Sequence, residues 1–115
     1  MAFPAIRPDV AVIHALRADR DGNIELGRNR GIDEELCLTA GQVIVTAEEI
    51  VPQLDRADMV GALVSAVVHA PGGAAPTSCH PYYPLDGAAI LDYTERVGEP
   101  SALAAYLGWP ASPAA

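Results

Sequence analysis

One hundred and fifteen residues, half of them apolar but 21 of them alanine, with ten glycines and ten prolines, allow one compact domain at most and no second independent core. The seven cations are all arginine and face 15 acids, a net charge of −8, which excludes a general nucleic-acid binder that needs a basic face. The longest apolar stretch, around Gly61 to Val68, is broken by Ser65 and too short for a bilayer span, and no basic segment followed by an apolar one opens the chain, so no membrane partner and no signal-led export are expected.

Charge is also uneven along the chain. Five arginines meet four acids through residue 31, whereas two arginines meet eleven acids afterwards, so an anion site built from side chains belongs early. Two cysteines, Cys37 and Cys79, have neither metal-ligand spacing nor the density of a disulfide scaffold; they read as buried free thiols of a cytoplasmic protein.

In chain order, Pro4 and Pro8 give an irregular start, and the β-branched run Val10 to Ala15 predicts a buried parallel strand over 9–15. The Asp-Gly pair inside Asp19 to Asn23 marks a tight turn, and Ile24-Glu25-Leu26 alternates as a short half-exposed strand. Acids at Asp33, Glu34 and Glu35, apolar residues after them and Gly41 at the end predict a short helix over 33–40. Gln42 to Thr46 is the clearest buried strand and is expected to be central; Glu48 to Val51 then runs into Pro52 and a loop reaching Asp58. A third strand is predicted over Leu63 to Val68. The stretch 70–87, with four prolines, three glycines and two tyrosines, reads as an ordered functional loop; helices over 88–97 and 101–107 and a frayed Pro-Ala tail complete the chain.

Several residue groups bear chemistry. Pro71-Gly72-Gly73 with Thr77 and Ser78 offers backbone amides and hydroxyls to a carboxylate, phosphate or thioester oxygen, against the plainer reading of a surface turn packed on its own tyrosines. His14 and His69 end apolar strands, where hydrogen bonding is the simpler role, and with His80 they lack metal spacing. Arg17, Arg20, Arg28 and Arg30 lie among Asp19, Asp21 and Glu25, which favours local ion pairing over a phosphate site. Glu48 follows the central strand, where an α/β protein places ligand-facing residues.

Pro8 to Ala15 followed by Arg17-Ala18-Asp19 and Asp21-Gly22-Asn23 resembles a signature of family I CoA-transferases, and Val43 to Val51 resembles that family's second block. Ala70 to Cys79 with Tyr82-Tyr83 is similar to the A subunit of the glutaconate CoA-transferase branch, apart from Ala75, where relatives often carry histidine. The resemblance implies an α/β, parallel-sheet fold of the CoA-transferase and ribose-phosphate-isomerase type, present in part, with residues 1–97 as the carboxyl-terminal portion of an A-subunit domain and 98–115 as a terminal helix and tail. It implies ping-pong chemistry in which a glutamate of a partner B-type subunit takes the acyl group, CoA leaves and returns, and a second carboxylic acid departs as the new thioester. No catalytic residue and no metal is then expected on this chain, and coenzyme A is a substrate, with no permanently bound cofactor. Gly72, Gly73, Thr77, Ser78, Tyr82 and Tyr83, with Glu48, become candidates for a surface facing acyl-CoA or the B subunit, in a hetero- or homo-oligomer. Two alternatives accompany this: part of an A subunit of a hydrolase opening a ring of CoA-linked steroid breakdown products, and a non-catalytic assembly fragment.

Overall fold

The computed structural model describes residues 4–28 and 30–108, so the expected Pro-Ala tail lies outside the described residues. The chain forms two compact units, Met1–Gly73 and Ala74–Ala115. Among the described residues every member of the buried apolar cluster belongs to the first unit, and Cys79 is the only buried apolar residue in the second.

The first unit is a four-stranded sheet in the order β2-β1-β3-β4, comprising β1 (Val10–Asp19), β2 (Ile24–Glu25), β3 (Gln42–Val51) and β4 (Ala66–His69). β1 and β3 run parallel, β3 and β4 run parallel, and β2 pairs antiparallel to β1. Helix α1 (Asp33–Thr39) links β2 to β3, with its acids in the first turn as expected.

β1 and β3 both run past their predicted ends. Their pairing continues through Arg17↔Glu49, Ala18↔Ile50 and Asp19↔Val51, so Glu48 and Glu49 lie within a strand rather than after one. The predicted third strand starts three residues late: Gly61–Leu63 is a single 3₁₀ turn, and β4 begins at Ala66. Asn23 Oδ1 accepts from Gly61 N–H at 2.9 Å, which ties this turn to the one after β1. Ser65 then meets Val43 twice, its N–H donating to the Val43 carbonyl and its Oγ accepting from Val43 N–H, and regular pairing follows.

Burial alternates along β1 and β3, as pleating requires. Ala11, Ile13 and Ala15 pair with Val43, Val45 and Ala47 on the core face, each 6% exposed or less. The opposite face is not covered as the sequence run predicted, since Val10 is 44%, Val12 64% and Val68 47% exposed. On that same face His14 pairs with Thr46, and Thr46 with Val68.

The Asp-Gly turn is built around Asp19, which is 4% exposed. Its Oδ1 accepts from Asp21 and Asn23 N–H, and its Oδ2 accepts from Asn23 Nδ2 and Leu54 N–H. These donors, the Asn23 side chain first, hold the Asp19 carboxyl below the ordinary carboxylate range. Gly22 takes φ +81°, the left-handed geometry that glycine adopts without a Cβ penalty.

In the second unit, α2 (Gly87–Arg96) is capped by Asp86, whose Oδ1 accepts from Ala89 N–H, and α3 (Pro100–Tyr106) begins on Pro100. The helices meet through the Tyr93 and Tyr106 rings, 5.8 Å between centroids.

Candidate functional site

Strand alternation places His14, Thr46 and Glu48 on the open face of the sheet, and β4 leads from its last residue, His69, into a tight turn that returns to them. In this turn, Ala70 to Gly73, Pro71 occupies the second position and Gly72, at φ +75°, the third, with Gly73 N–H donating to the Ala70 carbonyl at 2.9 Å. That is a type II turn, in which proline fixes one φ and glycine supplies the positive one.

Glu48 is 7% exposed, and a carboxylate so buried needs donors on its oxygens. His14 Nε2 lies 2.6 Å from Oε1, and Gly72 N–H donates to Oε2 at 2.8 Å. His14 Nδ1 lies 2.8 Å from Thr46 Oγ1, which also reaches the Ile13 carbonyl at 3.3 Å. His69 Nε2 is 3.2 Å from the Glu48 carbonyl. Among the described residues no buried side-chain nitrogen or oxygen lacks a partner.

Three of the predicted site residues therefore come together: Glu48, Gly72 and Gly73. The two glycine amides are directed inward, one to Glu48 and one to Ala70, so the glycines serve the turn's geometry and its close approach to His14 rather than presenting those two amides to a ligand. His14 lies inside β1 rather than at its end, because the strand runs on to Asp19. The sequence alone suggests only a hydrogen bond for it; the signal for more is its period-two relation to the open face, which depends on a register 32 residues away.

The other four candidates, Thr77, Ser78, Tyr82 and Tyr83, lie in the second unit. There the segment is ordered by its own bonds. Tyr83 Oη accepts from Ala74 N–H at 3.0 Å, Thr77 Oγ1 donates to the Ala74 carbonyl, and Cys79 and Tyr83 exchange both backbone bonds at 3.0 Å. Ser78, Tyr82, Tyr83 and Leu85 help line an open depression of about 510 Å³.

The early arginines behave as ion pairs where they are engaged. Arg17 Nε donates to Glu25 at 2.6 Å across β1 and β2, while Arg30 bridges Glu34 at 2.7 Å and Asp58 at 2.8 Å. Both cysteines are buried, and burial first, then the Asp33 charge, pushes the Cys37 thiol above its ordinary pKa.

The family described as "malonate decarboxylase, alpha subunit, transporter" matches residues 2–96. The A subunit of 3-oxoadipate CoA-transferase from Pseudomonas knackmussii is 47% identical over 90 residues, covering 74% of this chain and 32% of the relative. The A subunit of glutaconate CoA-transferase from Acidaminococcus fermentans is 34% identical over 99 residues, covering 81% and 31%. The crystal structure of the glutaconate coenzyme A-transferase superposes on 87% of this chain and 33% of its own at TM-score 0.79 and 31% identity. A structure of the decarboxylase AibA/AibB, solved as a cysteine-to-serine variant, superposes on 91% and 39% at TM-score 0.82 and 39% identity. The chain spans about a third of the length of these two curated relatives. No helix among the described residues is long and apolar enough to cross a membrane. The chain belongs to the malonate decarboxylase alpha-subunit family and, with the A subunits of 3-oxoadipate and glutaconate CoA-transferase as relatives, to the family I CoA-transferase A subunits.

Proposed function

We propose that this chain works as part of the A subunit of a heteromeric CoA-transferase, moving CoA between an acyl-CoA and a carboxylic acid in the cytoplasm. The observation that carries the reading is the 47% identity with the A chain of a 3-oxoadipate CoA-transferase over 90 residues. In the proposed complex a B-type partner supplies the nucleophilic glutamate, and residues 1–97 form part of the A-subunit domain that lines and orients the reacting centre. The carboxylate oxygen of that glutamate attacks the thioester carbonyl carbon as the C–S bond breaks and CoA leaves as thiolate. CoA thiolate then attacks the glutamyl carbonyl of the resulting anhydride, releasing the first acid and leaving a glutamyl thioester; the incoming acid attacks that thioester and expels CoA thiolate, which returns to the new acyl carbonyl, so that the new thioester departs and the glutamate is freed.

Within this scheme the Pro71-Gly72-Gly73 turn, supported from below by Glu48, faces the acyl-CoA or the B subunit, and so does the segment carrying Thr77, Ser78, Tyr82 and Tyr83. The exposed Tyr82 and the depression beside it suit an interface or an acyl group. Coenzyme A enters and leaves as a substrate.

The test is to combine the chain with a B-type partner, add acyl-CoA without an acceptor acid, and search the partner for CoA joined to a glutamate by mass spectrometry. The adduct is expected, together with loss of turnover in Gly73→Val. A stable complex that cleaves acyl-CoA and leaves no adduct would overturn the transferase reading in favour of hydrolysis.

A further inference from the structure

We propose that His14 and Glu48 are the positioning pair of the Ala70–Gly73 turn, with the imidazole proton on Nε2 donated to the Glu48 carboxylate and the other carboxylate oxygen holding Gly72 N–H. The inference rests on the transferase reading only for the use to which the turn is put.

The geometry leaves little freedom in the proton inventory. An ionised carboxylate only accepts, and both Glu48 oxygens face nitrogen: Gly72 N at 2.8 Å and His14 Nε2 at 2.6 Å. A backbone N–H has no alternative but to donate, so Oε2 is fixed as an acceptor. With Glu48 ionised, the 2.6 Å contact at Oε1 is a hydrogen bond only if Nε2 carries the proton, and that is the state proposed. On the opposite side of the ring, Nδ1 meets a hydroxyl that can either donate to it or accept from it, so Thr46 permits a neutral or a cationic ring with the Nε2 proton retained.

The ring supports the turn a second time, through contact. A Cβ built on Gly73 would lie 2.8 Å from His14 Cε1 and 3.1 Å from Nδ1, so the glycine backbone rests directly against the imidazole. One side chain on β1 thus holds Gly73 by packing and Gly72 through the Glu48 bridge. Glu48 is a positioning residue in this arrangement, as is His14; neither is placed on a reacting atom.

The experiment uses the full ¹⁵N-labelled chain and reads two signals: the tautomer of the His14 ring from its nitrogen shifts, and the hydrogen exchange of Gly72 N–H. The wild type is expected to carry a proton on Nε2 and to protect Gly72. Glu48→Ala should speed Gly72 exchange about ten- to a hundredfold, the loss of a charge-assisted bond, while Val45 and Ala47 in β3 keep their protection. Glu48→Gln keeps the shape and decides the matter if the alanine variant does not fold. A glutamine amide has one acceptor and one donor end, so it must either hold Gly72 and strip the proton from His14 Nε2, or keep that proton and release Gly72. Either response supports the pair. A wild-type ring without a proton on Nε2, or a glutamine variant in which both signals stay unchanged, would overturn it. Turnover with the B-type partner is read separately: if His14→Ala releases Gly72 but leaves kcat untouched, the transferase use of the turn fails and the pair stands.

Discussion

Gly73 lies so close to the His14 ring that a methyl group at its Cα would sit 2.8 Å from Cε1 and 2.8 Å from the Ala70 carbonyl oxygen. Gly72, one residue earlier, has open space around its missing Cβ but a φ of +75°. The two glycines are therefore required for different reasons, one for room and one for conformation. Gly72→Ala should cost about 1–2 kcal/mol, the penalty of a left-handed alanine, and leave the His14 resonances in place. Gly73→Ala should cost about 1–3 kcal/mol and displace them, because backbone on one side and a hydrogen-bonded ring on the other cannot both yield. Urea midpoints with the His14 ring signals as reporter separate the two. Identical effects would show that the turn opens as a unit.

Asp19 gives the protein an acid limb with a defined sign. Its carboxyl is held below the ordinary value of about 3.9. Its contribution is therefore full above that value and disappears as pH falls through its own lower one. Asp33 carries the opposite shift, raised by burial and then by Glu35, but it is common to any pair of proteins differing only at residue 19. The stability difference between wild type and Asp19→Asn should be large at pH 6 and shrink toward pH 2. A difference independent of pH would mean the turn is held by shape rather than by the charge on Asp19.

Much of this structure is legible in the sequence alone. The Asp-Gly turn, the 33–39 helix and the two last helices stand within a residue or two of where periodicity, caps and turn residues put them, and β3 starts where expected, at Gln42. What the sequence did not reveal lies in pairing between distant segments. β1 and β3 prolong one another through Arg17↔Glu49 and Asp19↔Val51, which neither strand's own composition requires. β4 starts late because Gly61 and Ser65 are engaged by Asn23 and Val43. The site shows the same division. Glu48, Gly72 and Gly73 were recognisable as residue types at suggestive positions, whereas His14 and Thr46 join them only through the parallel register.

Arg30 offers a test of guanidinium shape against charge. Its Nε donates to the Gly27 carbonyl, one terminal nitrogen to Glu34 and the other to Asp58, whose second oxygen accepts from Leu26 N–H. Glu34 and Asp58 favour its charged form. A lysine ammonium is a single point and cannot span three acceptors held in a planar fork. Arg30→Lys should lower the urea midpoint nearly as far as Arg30→Ala. Full rescue by lysine would show that charge alone suffices at this junction of β2, α1 and the loop ending at Asp58.

Gly61 is the position where the least volume can be added. Its φ is not in the left-handed range, yet a Cβ there would fall 1.9 Å from the Asp21 carbonyl oxygen and 3.0 Å from the Gly22 carbonyl carbon. Those atoms belong to the turn that the Asp19 and Asn23 side chains fix with five hydrogen bonds, counting the one Asn23 makes to Gly61 itself. The clash cannot be relieved by rotating a side chain, so Gly61→Ala should reach or exceed the upper end of about 1–3 kcal/mol expected for overpacking. Gly87, at the start of α2, meets nothing within 4 Å and has no positive φ. There alanine should be neutral or stabilise by about 0.4–1 kcal/mol by restricting the unfolded chain. A pair of urea melts reads both. A Gly61→Ala midpoint close to wild type would mean that the 19–23 turn can slide away from the 3₁₀ turn, and the hydrogen bonds around Asp19 would then be too weak to account for the register of β1 and β3.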